Sequence, residues 1–244
     1  MRKICFVILI LILILISVSL SANAITSNEM LNKVKNLEAN FTDFSATVKG
    51  TGDPGTVKNQ GNRYEDILQV KDGTIKYKKH NMIRIDGKIQ GLKGIVVQNG
   101  YWVKMQIGIM NMKRNQQNDP GKRQNSLDMG MLSSILWKDN KVVIMSESNG
   151  VAKVKFTPVY GGDEKRCDIV WIDVDSLKLV KREKYNYEGK LKKRFEYKEY
   201  KELTSNYYIA TKTMAYDEKN KYLATANYSN LKINQKMDDK LFKM

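Results

Sequence analysis

Histidine occurs once in this chain, proline three times and cysteine twice. Each scarcity excludes a chemistry. A Ser-His-Asp or Cys-His arrangement would have to run through His80, which follows Lys78-Lys79 at the end of an alternating run and reads as a solvated turn residue. A zinc set cannot be assembled from one histidine and one or two cysteines. Cys5 lies in the N-terminal leader, so Cys167 is left without a disulfide partner and reads as a buried small hydrophobe before Ile169-Val170-Trp171-Ile172. Gly87, Gly91 and Gly94 read as a loop between strands, with no following helix that could cradle a phosphate. Asp173 and Asp175 lack the glycine and terminal glutamate of a calcium loop and read as a turn between strands. No carboxylate pair is marked out for glycoside chemistry. The expectation is a protein that is not an enzyme, with no metal and no cofactor.

One long hydrophobic run is present. Residues 1–24, MRKICFVILILILILISVSLSANA, combine Arg2 and Lys3, an apolar stretch from Ile4 to Leu20, and the small-x-small pattern Ala22-Asn23-Ala24. They read as a signal peptide cleaved after Ala24; an uncleaved membrane anchor is the alternative, though the run falls just short of the ~20 residues of a span. No cysteine stands directly after the run, so lipidation of the chain itself is not expected. Removal of the leader takes two positive charges from a net +16. Residues 25–244 then form a single domain in the periplasm. There the basic balance concerns solubility, anionic head groups or an acidic partner, and nucleic acid is out of reach.

The remaining chain opens with Thr26-Ser27-Asn28-Glu29, the form of a capping box, followed by Met30, Leu31, Val34 and Leu37. This spacing predicts a helix over about 27–38. From Phe41 the period falls to two in FSATVKG, EDILQVKDG, TIKYKKH, MIRIDG, GIVVQNG and YWVKMQIGIM, with Asp72-Gly73 and Asn99-Gly100 as expected hairpin turns. Residues 111–126, polar and containing Pro120-Gly121, read as a long mobile loop. Leu127, Met131, Leu132, Ile135 and Leu136 then predict a short helix over 127–137. Strands resume in KVVIMSES and VAKVKFTPV around Asn149-Gly150, with four or five more from Cys167 to Asn234, and MDDKLF forms a last turn.

In LVKREKYNYEGKLKKRFEYKEY, residues 179–200, cations alternate with aromatics. A two-residue turn at Glu188-Gly189 sets Phe195 opposite Arg182. A three-residue loop, Tyr187-Glu188-Gly189, instead pairs Tyr185 with Leu191 and Leu179 with Tyr197. The second register gathers Leu179, Tyr185, Leu191, Phe195 and Tyr197 on one face and sends Val180, Arg182, Lys184, Lys192, Arg194 and Lys198 to the other. About ten strands with two short helices cannot be covered as a flat sheet, so the sheet must curl around an apolar interior. Met105, Met110, Met112, Met129, Met131 and Met145 fall around the middle loop and helix, either as an adaptable ligand wall or as core filling.

These patterns resemble a known family. The opening MLNKVKNLEANFTDFSATVKGTG, the run VVQNGYWV, the short lid helix, and VWIDVDSLKLVKREKYNYEGKLKKRFEYKEYKEL are similar to the LolA/LolB-type lipoprotein carrier superfamily, within its group of outer-membrane lipoprotein-sorting proteins. The resemblance implies a mainly β (α+β) fold: a strongly curved antiparallel sheet, an unclosed half-barrel with short helices as a lid over a hydrophobic cavity. It implies an exported monomer that holds acyl chains of lipids or lipoproteins, in transient contact with a membrane or membrane protein. The same fold implies, as the alternative, a periplasmic sensor or regulatory module. An arginine locks lid to barrel in the best-known branch, and Arg63 and Arg84 lie in the corresponding region. Alternation places Ile95, Val97, Val103, Met105, Leu179, Phe195 and Tyr197 on the cavity wall, with Ile135 and Leu136 pressing from the lid.

Overall fold

The computed structural model describes residues 24–52, 70–89, 91–119, 123–160 and 166–244. Helix α1 spans Ser27–Glu38. Strands β1 (Asp43–Gly52), β2 (Val70–Lys78), β3 (Met82–Ile89), β4 (Leu92–Asn99), β5 (Trp102–Ile107) and β6 (Met110–Asn115) follow. A short helix α2 (Ile135–Asp139) precedes β7 (Asn140–Ser148), β8 (Val151–Pro158), β9 (Asp168–Asp173), β10 (Leu179–Tyr185), β11 (Leu191–Thr204), β12 (Tyr207–Asp217) and β13 (Tyr222–Ile233). A 3-10 turn, Asp239–Phe242, ends the chain.

All thirteen strands lie in one antiparallel sheet that does not close into a barrel, in the order β6-β5-β4-β3-β2-β1-β13-β12-β11-β10-β9-β8-β7. Two meanders are thus sewn together where β1 pairs with β13, and the β6–β7 connection runs from one edge of the sheet to the other. Laid flat, thirteen strands would be roughly 58 Å wide at ~4.8 Å per strand, far beyond the ~10 Å a helix covers. The sheet curves instead. One hydrophobic cluster takes side chains from every strand, from Met112 on β6 to Val142 and Ile144 on β7. Where β2 and β3 bend, Gly73 faces Gly87 beside a bulge. A Cβ on either glycine would come within 2.5 Å of a carbonyl on the facing strand, so the close approach requires glycine there.

The first helix forms as its sequence predicts. Thr26 Oγ1 accepts from Glu29 N, the Glu29 carboxylate accepts from Thr26 N at 2.7 Å, and Met30 and Val34 are fully buried against the sheet. Four local expectations are corrected. Asp72-Gly73 is strand interior, because the bulge and the facing Gly87 keep β2 paired through it. Gly108-Ile109 is a turn, so YWVKMQIGIM is split between β5 and β6, and residues 111–115 are strand instead of mobile loop. Residues 126–130 form turns, leaving only Ile135–Asp139 as helix. Gly87 and Gly94 lie within β3 and β4, and only Gly91 between them is a turn glycine. Most of EDILQVKDG and Pro120-Gly121 lie outside the described residues.

Candidate functional site

The described parts of the edge-to-edge connection, residues 116–119 and 123–139, lie as a strap across the inner face. Its apolar side chains Leu127, Met129, Met131, Leu132 and Leu136 are buried in the main cluster. A backbone laid into an apolar interior must find partners for its N–H and C=O groups. Side chains of the sheet supply them. Gln98 brackets Gln124, donating to its carbonyl at 2.8 Å and accepting from its N–H at 2.9 Å. Tyr197 donates to the Leu127 carbonyl at 2.8 Å, and Tyr207 donates to that of Leu132 at 2.6 Å. At the midpoint Ala210 N donates to the Gly130 carbonyl at 2.8 Å, main chain to main chain. Burial raises the Tyr77, Tyr197 and Tyr207 hydroxyls above their ordinary pKa, so they stay protonated and able to donate.

One strap anchor is ionic. Arg182 on β10 is fully buried and bridges two carboxylates, Asp128 of the strap and Asp168 of β9, each at 2.7 Å. Its guanidinium also lies 5.5 Å from the Phe195 ring centre. Burial disfavours the Asp128 charge, yet Arg182, Lys184 and the Asn125 N–H outweigh it and hold this carboxyl below its usual range. Burial likewise opposes the Arg182 charge, and the two aspartates more than offset it. A second pair, Arg123 with Asp139 at 3.2 Å, fastens the strap near the β4–β5 turn, where Arg123 stacks on Tyr101.

The far end of the strap is held by α1. The buried carboxylate of Glu38 accepts from Ser134 N at 3.1 and 3.2 Å, with the Tyr207 hydroxyl beside it at 3.4 Å. Trp137 of α2 donates to Ser27 Oγ at 3.0 Å and meets Phe156 edge-on. Helix and strap therefore form one cover.

The structure brings six of the nine sequence-assigned wall residues into the main cluster: Val103, Met105, Leu136, Leu179, Phe195 and Tyr197. Ile135 is half-buried and belongs to neither cluster. Ile95 and Val97 are separated from the rest. Val96 takes the inner position on β4, and Ile95 and Val97 join Met82, Met237, Leu241 and Phe242 in a second cluster under the C-terminal turn. Arg84 belongs to that outer side as well: it pairs with Asp86 and donates to the Leu241 carbonyl at 3.1 Å. It does not touch the strap, and Arg63 lies outside the described residues. Of the six methionines, Met105, Met129 and Met131 are core, Met112 packs partly against it, and Met110 and Met145 are exposed.

Arg182 was assigned outward by alternation and is the buried one. The β10–β11 hairpin begins in the three-residue register, with Tyr185 opposite Leu191, but a bulge moves it by one residue, so that Arg182 faces Phe195. The signal was present in the alternative two-residue register, which makes that pairing.

Solved structures share this architecture. A domain assigned to outer membrane lipoprotein sorting, from Vibrio parahaemolyticus, superposes with a TM-score of 0.61 at 13% identity, covering 88% of this chain and 95% of its own. The chain has the LolA fold. A LolA superfamily protein from Nitrosomonas europaea shares the LolA fold with it at a TM-score of 0.58 and 13% identity, covering 91% of this chain and 99% of that one. A DUF1329 family protein from Desulfovibrio piger does so at 0.60 and 13%, covering 88% and 95%. Residues 127–244 match a family model described as an uncharacterized protein. No curated protein matches the sequence. Among the described residues, no group of three or more His, Cys, Asp and Glu could hold a metal ion, and no helix is long and apolar enough to cross a membrane.

Proposed function

We propose that the chain is an exported, periplasmic protein that holds acyl chains of lipids or lipoproteins against the inner face, in outer-membrane lipoprotein sorting or transport, with the strap as the closure that admits them. One observation carries the reading: an apolar face drawn from thirteen strands is covered by α1 and by one connection fastened mainly through hydrogen bonds to its backbone. An acyl chain of about 16 carbons leaving water offers roughly 12 kcal/mol at ~0.8 kcal/mol per methylene, against which opening breaks strap hydrogen bonds worth ~1 kcal/mol each. Opening also strands no charge, because Arg182 keeps Asp168 while Asp128 moves to water. Arg182 is then the latch. The wall exposed by opening is Val103, Met105, Leu179, Phe195 and Tyr197. Ile95 and Val97 contribute from the outer side by seating the C-terminal turn.

Delipidated protein offered phospholipid or lipoprotein is expected to carry acylated adducts in native mass spectrometry. No adduct under any condition overturns the reading. A regulatory module of the same fold is the second reading, favoured by an interior already filled by its own side chains. It expects a protein partner retained from membranes and no adducts.

Transient membrane contact belongs to the same proposal. Ile109 is fully exposed and Leu92 is 55% exposed, at adjoining hairpin ends beside Lys88 and Lys93. Aliphatic tips ringed by lysine suit an anionic bilayer surface. Ile109→Asp with Leu92→Asp is expected to reduce cosedimentation with anionic vesicles at least tenfold without changing the melting temperature. Undiminished binding removes the tip from the proposal.

A further inference from the structure

Ala24 is exposed and Ile25, the next residue, is buried at the entry to α1. The Ile25 backbone nitrogen donates to Glu147 Oε2 at 2.8 Å, joining the start of the helix to edge strand β7 across 122 positions. An ordinary amide needs only a carbonyl, yet this one meets a carboxylate. We infer that Glu147 is the receptor for an α-ammonium group at Ile25, produced when the Ala24–Ile25 bond is cut. The inference rests on the reading that the leader is removed after Ala24. Hydrolysis by a signal peptidase places the hydroxyl of water on the Ala24 carbonyl carbon and its hydrogen on the Ile25 nitrogen. At neutral pH that nitrogen binds one more proton.

The atom already 2.8 Å from the carboxylate thus gains a full positive charge, and a neutral-donor hydrogen bond becomes a charge-assisted ion pair of roughly twice the strength. The charge requires this partner. It lies just before the N-cap Thr26, at the positive end of the α1 dipole, where a bare cation is unfavourable. Among the described residues, the charged groups lining the hollow beside Ile25 are Glu29 and Lys33 of α1 and Glu147 of β7, with Val174 from the β9–β10 turn. Glu29 is engaged with Thr26 N and Oγ1 at 2.7 and 2.8 Å, and Lys33 donates to the Val174 carbonyl at 3.3 Å. Glu147 remains as the counter-ion. The other end of α1 carries Glu38, which holds the strap, so processing at Ile25 would firm the helix that closes the inner face.

The test expresses the full chain through the export pathway in four forms: unchanged, Glu147→Gln, and each of these with one alanine inserted between Ala24 and Ile25. Intact mass reports the cleavage point. The inserted residue moves the ammonium about 3.6 Å away but preserves the Ile25 amide. Glu147→Gln is expected to lower the melting temperature by about 2–4 °C at pH 7 in the Ile25-terminated protein, and by less than half as much in the extended one. An ammonium stabilised by folding has a raised pKa, so the difference should be full below about pH 7.7, the lower end of the ordinary α-amino range, and vanish as pH rises through the raised value. Equal losses in both backgrounds, or a loss that survives at pH 10–11, overturn the receptor while leaving the cleavage reading intact. A mass showing cleavage elsewhere overturns both.

Discussion

Replacing Arg182 with alanine is expected to destabilise the folded chain by about 3 kcal/mol in urea or guanidinium titrations, because two partly buried carboxylates lose their common, fully buried counter-ion. The physical cause is separable by a second experiment. In the triple variant Arg182→Met, Asp128→Asn, Asp168→Asn no charge is left unpaired, so it should recover most of that loss; an ion triad exchanged for neutral groups is often tolerated. Asp128→Asn alone breaks the strap side and leaves the Arg182–Asp168 pair in place. It should raise hydrogen exchange in the strap and speed lipid uptake several-fold. The same bond has a pH signature. The Asp128 carboxyl is held below its usual range, so its contribution is full above about pH 4, where the free carboxylate is ionised, and is lost as pH falls through the depressed value. Strap amides should therefore lose protection in acid before the sheet does. Unchanged stability in Arg182→Ala would sink the latch.

Gly130→Val is expected to free the strap at its midpoint without touching an ionic group. Gly130 has φ +78, and a Cβ there would lie 2.9 Å from the Ala210 carbonyl oxygen. A β-branched residue loses the left-handed conformation at ~1–2 kcal/mol. Displacement also breaks the 2.8 Å bond from Ala210 N and leaves that buried donor unpaired at ~1–3 kcal/mol. Together the cost is roughly 2–5 kcal/mol. Gly150→Val is the control: φ is +72 at an exposed turn with nothing within 4 Å of a Cβ, so the backbone strain applies without a clash to displace the chain. Gly130→Val should lose at least 1 kcal/mol more than the control and lose amide protection around residues 127–136. Equal losses would mean that the strap is not seated at Gly130.

The strand-rich fold, the capping box and most hairpins were legible because they depend on local pattern: Thr26 to Glu29 and Asn149-Gly150 form as their sequences require, and the hairpin expected at Asn99-Gly100 turns one residue later, at Gly100-Tyr101. The failures have two causes. Alternation cannot register a bulge, and β10 has one on each side. Val180 has no partner on β9, and β11 skips Lys192 between Leu191 and Lys193. Those two extra residues turn Arg182 from an apparent surface cation into the centre of the interior. The second cause is non-local cover. Val96 and Val97 are both apolar and both buried, one by the main core and one by a C-terminal turn about 140 residues away, so β4 shows no clean alternation. The strap was misread for the same reason. Its apolar side chains suggest a helix, but its hydrogen bonds are supplied by the sheet.

The pairing of β1 with β13 also governs the order of assembly. Phe44 faces Ile233 and Val48 faces Tyr228, so the seam joins the first strand made to the last. Each meander can pair neighbour to neighbour as its strands arrive, but the two halves have no shared border until residue 233 is available. The loop that must be closed is long, although its entropy grows only with the logarithm of length. The delay comes from delivery: a chain supplied from its N-terminus completes the seam last, and the trough exists as a single body only after the last strand has arrived.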